Sequence, residues 1–184
     1  YIFNSKDLCM IEHIPDLIEA GIDSFKIEGR MKTALYVATV ARTYRMAIDD
    51  YLKDPKLYEA NIEKYKEMIK KCTYRQYTTG FFYGKPTDEA QIYDSNTYIK
   101  GYTYLGMVYN IDDDGLAVIE QRNKFCVGDE IEVMKPSGED VPVKVLEIRD
   151  SFGNRMDSAP HPKQELHIRI DKGMGVGDIL KCRE

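Results

Sequence analysis

Lys26, Glu28 and Arg30 alternate with small or apolar residues in the run Ile22-Asp23-Ser24-Phe25-Lys26-Ile27-Glu28-Gly29-Arg30. One reading is an ion pair that shields the end of a strand. The other is an anion site, in which Lys or Arg binds substrate and Glu orients it. Cys9 offers a thiol just after an early loop. A lone Cys is either an inert small core residue or a ligand. His13, His161 and His167 have no metal-site spacing, and His161 and His167 flank Pro162 as surface or strand residues. Gly173-Met174-Gly175-Val176-Gly177 is followed by no helix, so it reads as a turn rather than a phosphate cradle. Neither G-x-S-x-G nor H-E-x-x-H occurs, which removes the usual hydrolase signatures.

The elements that would position these residues read β-α-β-α over residues 1–54. Tyr1–Phe3 is a short apolar strand end, and Asn4-Ser5-Lys6-Asp7 supplies helix-capping side chains. Pro15 sits where a first helical turn tolerates it, with Gly21 as the stop. Residues 22–28 alternate as a strand. Residues 31–52 form a helix with Val37, Ala41, Tyr44, Ile48 and Tyr51 at three- and four-residue steps, ended by Asp54-Pro55. Two strand–helix units with short loops predict a parallel sheet, open or closed. Strand parity turns Phe25 and Ile27 toward the helices and Lys26 and Glu28 to the opposite face, where α/β-barrel chemistry sits.

A second helix over residues 59–72 reads as a connector, and a pattern of short strands follows. They are expected at Tyr102–Tyr109, Leu116–Gln121, Glu130–Met134, Val141–Ile148, Glu165–Ile170 and Ile179–Cys182, spaced by turns as in a small antiparallel barrel. Val127-Gly128-Asp129 and Val176-Gly177-Asp178 repeat one turn ahead of two of these strands. Such turns look like those of small barrels in translation factors.

Of the 184 residues, 43% are apolar and 31% charged, which describes a globular chain rather than a disordered one. No apolar run reaches the roughly 18 residues of a membrane span. Cys9, Cys72, Cys126 and Cys182 are scattered, which fits a reducing cytoplasm better than a disulfide framework. The net charge of -5 disfavours a uniformly basic nucleic-acid binder. Residues 55–101 are nonetheless net positive, with 8 basic and 6 acidic groups. The chain opens on Tyr1 within an expected strand, and the reading is of a fragment of a longer protein.

The segments Asn4–Cys9 and Gly21–Lys32, continued by Tyr36-Val37-Ala38-Thr39-Val40 and Arg75-Gln76-Tyr77-Thr78-Thr79-Gly80-Phe81, resemble the collagenase-like peptidase family U32. The resemblance is specific over roughly the first 85 residues and looser beyond. It implies an α/β fold followed by an all-β one: the C-terminal end of a TIM-like barrel (1–54), a helical connector (55–73) and a small antiparallel β-barrel (74–184). Many members carry protease names. Other branches hydroxylate a wobble uridine in transfer RNA, with prephenate as a candidate co-substrate, or a ribosomal cytidine, and related members help hydroxylate ubiquinone precursors. Several relatives bind a 4Fe-4S cluster through four Cys, and Cys9 matches the last of those ligands. The other three would lie upstream, so this fragment alone is expected to hold no cluster.

The leading expectation is therefore transfer-RNA wobble-uridine hydroxylation by a cytoplasmic parent enzyme, with the fragment alone inactive. Lys26, Glu28 and Arg30 would serve the pocket. Lys64, Lys66, Lys70, Lys71, Arg75 and Lys85 would guide RNA, with Tyr77, Phe81 and Tyr83 as stacking rings. Bland alternatives are a solvated lysine face and aromatics buried in the β-domain. The functional alternatives are a U32 peptidase acting on peptide and a non-catalytic binding module. Exposed barrel edges would also allow self-association.

Overall fold

The computed structural model describes residues 4–93 and 98–184. The strand expected at 1–3 lies outside them. The chain forms two compact units, residues 1–101 and 102–184.

In the first unit, helix α1 (Ile14–Glu19) carries Pro15 in its first turn and stops before Gly21, whose φ of 76° only glycine adopts easily. Helix α2 (Ala34–Lys53) starts at Thr33, whose side-chain oxygen accepts the Tyr36 N–H. Asp54 stands between α2 and α3 (Pro55–Ile69). Its backbone N–H closes the last turn of α2, and its carboxylate accepts the Lys56 N–H to open α3. Pro55 at the first helical position loses no bond there, so α3 begins four residues earlier than the periodicity suggested.

The buried stripe of α2 is Leu35, Thr39, Val40, Thr43 and Ala47, while Val37 and Ala41 of the expected face are exposed. Small Ala47 and the self-satisfied Thr43, whose hydroxyl donates to the Thr39 carbonyl at 2.7 Å, face inward. Ile11, Ile14, Ala47, Tyr58 and Tyr65 form the core. Sequence periodicity ranks Thr as polar and so misses this rotation.

The strand expected over residues 22–28 does not form. No ladder partner occurs for it among the described residues, and Ile22 and Ile27 are exposed. Alternation supplies a strand's two faces, but ladder bonds require neighbouring strands. Among the described residues of this unit only short ladders occur. β1 (Asp7–Leu8) pairs in parallel with β3 (Tyr77–Thr78), and β2 (Thr73–Tyr74) pairs with β4 (Ile99–Lys100). Tyr74, β3 and β4, from the stretch expected to open the β-domain, thus pair within the first unit.

The second unit is a closed six-stranded antiparallel barrel. Its strands are β5 (Tyr102–Ile111), β6 (Ala117–Gln121), β7 (Glu130–Met134), β8 (Val141–Asp150), β10 (Glu165–Ile170) and β11 (Ile179–Arg183), in the order β5-β6-β10-β8-β7-β11 and back to β5. A short strand, β9 (Arg155–Met156), pairs antiparallel with the end of β8. Every expected barrel strand is present to within two residues. Alternate residues such as Leu105, Ile119, Val133, Ile148, Leu166 and Leu180 fill the interior. Closure leaves the six strands no open edge.

The repeated turn has one geometry at both sites. Gly128 and Gly177 take φ of 93° and 90°. Asp129 and Asp178 each accept, at 2.8 Å, the N–H of the residue three positions earlier, Cys126 and Gly175.

Candidate functional site

The strip Asn4–Cys9 lies between two stretches of the first unit. Lys6 N–H donates to Ala90 O on one side, and Asp7 and Cys9 N–H donate to Gln76 O and Thr78 O on the other. Asp7 ties this strip down. Its carboxylate accepts the Arg75 backbone N–H at 2.9 Å and pairs with Lys32 at 3.4 Å.

Beside the strip opens a cavity of about 560 Å³. Cys9, Ile11, Ile69 and Tyr77 contribute apolar lining, Lys6, Lys66, Lys70 and Glu12 the charges, and Thr78, Thr79 and Thr87 hydroxyls. That volume is in the range of small-molecule sites. Three lysines face it, two of them within ion pairs to Glu12, Glu63 and Glu67, so an anionic occupant would have to share or displace those carboxylates.

Cys9 is half-buried, and burial pushes its thiol pKa up. Hydrogen bonds from the Ile11 backbone and from Tyr44 oppose that rise. The Tyr44 hydroxyl accepts the Met10 N–H at 2.8 Å and turns its proton toward Cys9 Sγ at 3.9 Å. Burial also holds Tyr44 neutral, with its pKa well above the ordinary phenol value. Tyr44 was legible only as a helix-face aromatic. Its contact with Cys9 crosses 35 residues of sequence.

Lys26, Glu28 and Arg30 do not join this cavity. They lie on the exposed 22–30 segment, where Arg30 Nε meets Glu28 Oε1 at 3.3 Å. The Arg30 N–H and guanidinium hold the Glu28 carboxyl below its usual range. Glu28 and Arg30 thus form an exposed ion pair in this structure, with no strand end there for it to shield.

The RNA-guiding candidates divide. Lys66 and Lys70 line the cavity, within exposed i,i+3 pairs to Glu63 and Glu67 at 3.1 and 2.8 Å, and Lys66 also reaches Glu12 at 3.2 Å. Arg75 is occupied structurally, its guanidinium on the Tyr98 ring and bonded to Ser5 O. Lys64 and Lys85 are exposed and Lys71 is partly buried. Sequence reasoning missed Lys6 and Glu12 as wall residues, because each belongs to a different local element.

The aromatic candidates also separate. Tyr77 stacks on Tyr74 with centroids 4.7 Å apart and donates its hydroxyl to Ile69 O, so it is a structural ring. Phe81 and Tyr83 are each 77% exposed.

The profile described as peptidase family U32 matches residues 1–92, and that of the U32 C-terminal domain matches 100–181. The chain belongs to peptidase family U32. Among its relatives, tRNA hydroxylation protein P1 of Bacillus subtilis is 41% identical over 98% of this chain and 43% of its own length. For tRNA hydroxylation protein P of Escherichia coli the identity is 34%, covering all of this chain and 40% of the relative. A collagenase of Porphyromonas gingivalis is 34% identical over 81% of the chain and 42% of its own length. A crystal structure of the C-terminal domain of a Geobacillus thermoleovorans putative U32 peptidase aligns with 45% of the chain at 30% identity and a TM-score of 0.39, with 99% of that chain covered. The chain spans about two-fifths of the length of the first two relatives.

The family resemblance implies a 4Fe-4S cluster, and the residues present do not complete a site for one. Among the described residues no group of three or more His, Cys, Asp or Glu is placed to hold a metal. Cys72 is buried with its thiol donating to Ile69 O, and Cys126 and Cys182 belong to the other unit. Cys9 is a single thiol where four are needed.

Proposed function

We propose that this chain is part of a tRNA-hydroxylating enzyme of the wobble-uridine type. The observation that carries the reading is the match to tRNA hydroxylation protein P1, which runs through both units at 41% identity. Lys6, Lys66 and Lys70 at the cavity beside Cys9 support it, since a polyanion or a dicarboxylate such as prephenate needs cations at its binding site. Residues 1–54 act as closing units of a TIM-like barrel whose other strands belong to the full-length protein. Residues 22–29, which have no ladder partner among the described residues, are consistent with that role. In the complete barrel, Lys26 and Arg30 bind an anionic group, with Glu28 orienting Arg30. Cys9 is one ligand of a 4Fe-4S cluster, completed by three cysteines from elsewhere in the full-length protein. Lys66, Lys70 and their neighbours Lys64, Lys71, Arg75 and Lys85 steer tRNA. A cytoplasmic location follows from that substrate and agrees with four cysteines that are in no disulfide. No helix among the described residues is long and apolar enough to cross a membrane.

Complementation tests the reading. The full-length protein, returned to a strain lacking its own copy, restores 5-hydroxylation of wobble uridine, read by mass spectrometry of digested tRNA. Cys9→Ala abolishes it. Unmodified tRNA from the wild-type complement, with peptide cleavage by the same protein, would favour the peptidase alternative.

A further inference from the structure

The loop Gly80–Gly84 (Gly-Phe-Phe-Tyr-Gly) displays Phe81 and Tyr83 to solvent on a rigid support. Gly80 and Gly84 have φ of 58° and 121°, and a Cβ at Gly80 would lie 3.2 Å from Leu8 Cδ1. Two successive turns close the loop, through Phe82 N–H to Thr79 O and Gly84 N–H to Phe81 O. Phe82 packs on the imidazole of His13 with centroids 4.5 Å apart. That imidazole in turn bonds the Tyr83 hydroxyl through Nε2 at 3.3 Å and Asp16 through Nδ1 at 3.0 Å. A proton on Nδ1 would donate to Asp16 and leave Nε2 to accept from Tyr83. His13 and Phe82 both meet the Tyr83 ring edge-on, so its orientation is set before anything binds, with the ring still largely open. Two rings, each 77% exposed in this chain, present faces that a partner can cover.

Tyr83 also lines the cavity that holds Lys6, Lys66 and Lys70. The partner that uses both a flat apolar ring and adjacent cations is single-stranded nucleic acid, whose bases stack while its phosphates pair with lysine. Lys66 pairs with Glu12 and Glu63 and Lys70 with Glu67, all partly exposed, so breaking these pairs costs little.

We propose that Phe81 and Tyr83 form a base-stacking platform for an unstacked RNA nucleotide, with Tyr83 at the rim of the Cys9 cavity and His13 holding its ring in place. The proposal rests on the tRNA reading and adds to it the residues that grip an extruded base. The ring face is indifferent to base identity, so the platform supplies affinity rather than sequence choice.

Binding of a stem-loop RNA by the full-length protein tests it, using fluorescence of a 2-aminopurine in the loop. Tyr83→Ala and Phe81→Ala each weaken binding by roughly 5-fold to 100-fold, the cost of losing one base–aromatic stack. Tyr83→Phe, which keeps the ring, loses far less. An RNA abasic at the responsive position binds weakly to the wild type and is insensitive to Tyr83→Ala. Wild-type affinity in both alanine variants, or equal losses with intact and abasic RNA, overturns the platform while leaving tRNA binding in place. Failure of the wild-type protein to bind RNA sinks the tRNA reading and the platform together. A proline-rich peptide whose binding depends on Tyr83, while RNA binding does not, replaces the platform with a peptide site.

Discussion

Lys181→Met is expected to be among the most damaging single changes to the barrel. Lys181 lies on β11 with 0% relative exposure, and its ammonium sits 2.6 Å from Asp140 and 3.5 Å from Glu132. The Tyr102 ring lies 4.5 Å from the ammonium, and the Tyr102 hydroxyl donates to Glu132 at 3.1 Å. The Asp140 side chain is only 6% exposed, so removing the cation leaves a carboxylate with little access to water. Breaking a buried pair from one side costs about 3–5 kcal/mol, and the lost cation–π contact adds up to about 2 kcal/mol. A domain typically has only about 5–15 kcal/mol in total. For a unit of this size, 3 kcal/mol lowers Tm by at least about 12 °C. Urea titration of the chain, followed by circular dichroism and tyrosine fluorescence, measures the loss. Adding Asp140→Asn and Glu132→Gln to Lys181→Met should recover much of it, because the stranded charges go with the cation. A loss below about 1 kcal/mol for Lys181→Met, the value of an exposed pair, would refute the reasoning.

Three further perturbations test other parts of the structure. Gly106→Ala places a Cβ 2.8 Å from the Glu120 carbonyl oxygen across the β5–β6 ladder, and a loss of roughly 1–3 kcal/mol is expected by the same titration. Tyr65→Phe removes the hydroxyl bonded to Asp50 in the helical core and should cost about 1–2 kcal/mol, with helicity retained by circular dichroism. Glu147 is held below the usual carboxylate range, first by its bond to Arg149 and then by the charges of Arg149, Arg155 and Arg169. A depressed folded-state pKa stabilises above the unfolded value of about 4.3 and stops doing so as pH falls through the folded pKa. Glu147→Gln should therefore destabilise the barrel by up to about 1 kcal/mol at pH 7. The difference from wild type should vanish in strong acid, as paired thermal melts would reveal.

The barrel was the most legible part of the chain because its signals are local. Alternating runs such as Glu130–Met134 mark strands, and Gly128 and Gly177 with their aspartates mark the turns. The α2–α3 junction was readable from Asp54-Pro55, though Pro55 belongs inside α3 rather than in a gap. The site was far less readable. Its walls come from residues 6–12, 66–70 and 77–90, and no local pattern announces that Lys6 and Lys70 line one cavity. Three aromatics in one short run, Tyr77, Phe81 and Tyr83, look alike in sequence. The structure stacks the first on Tyr74 and exposes the other two.

By itself the sequence determined where helices start and stop, which runs alternate, and which turns require glycine, because those depend on neighbouring residues and backbone sterics. It also determined the family through its motifs. Only the tertiary structure decided which of those runs become paired strands. Residues 22–28 alternate as well as β7 does, yet β7 has ladder partners on both sides and 22–28 has none among the described residues. Barrel closure through β8 and β10, the Tyr44 bond to Cys9 and the His13 support of Tyr83 are likewise contacts between distant segments. Their formation depends on where the packed core brings the backbone, a property of the whole fold that no stretch of a few residues encodes.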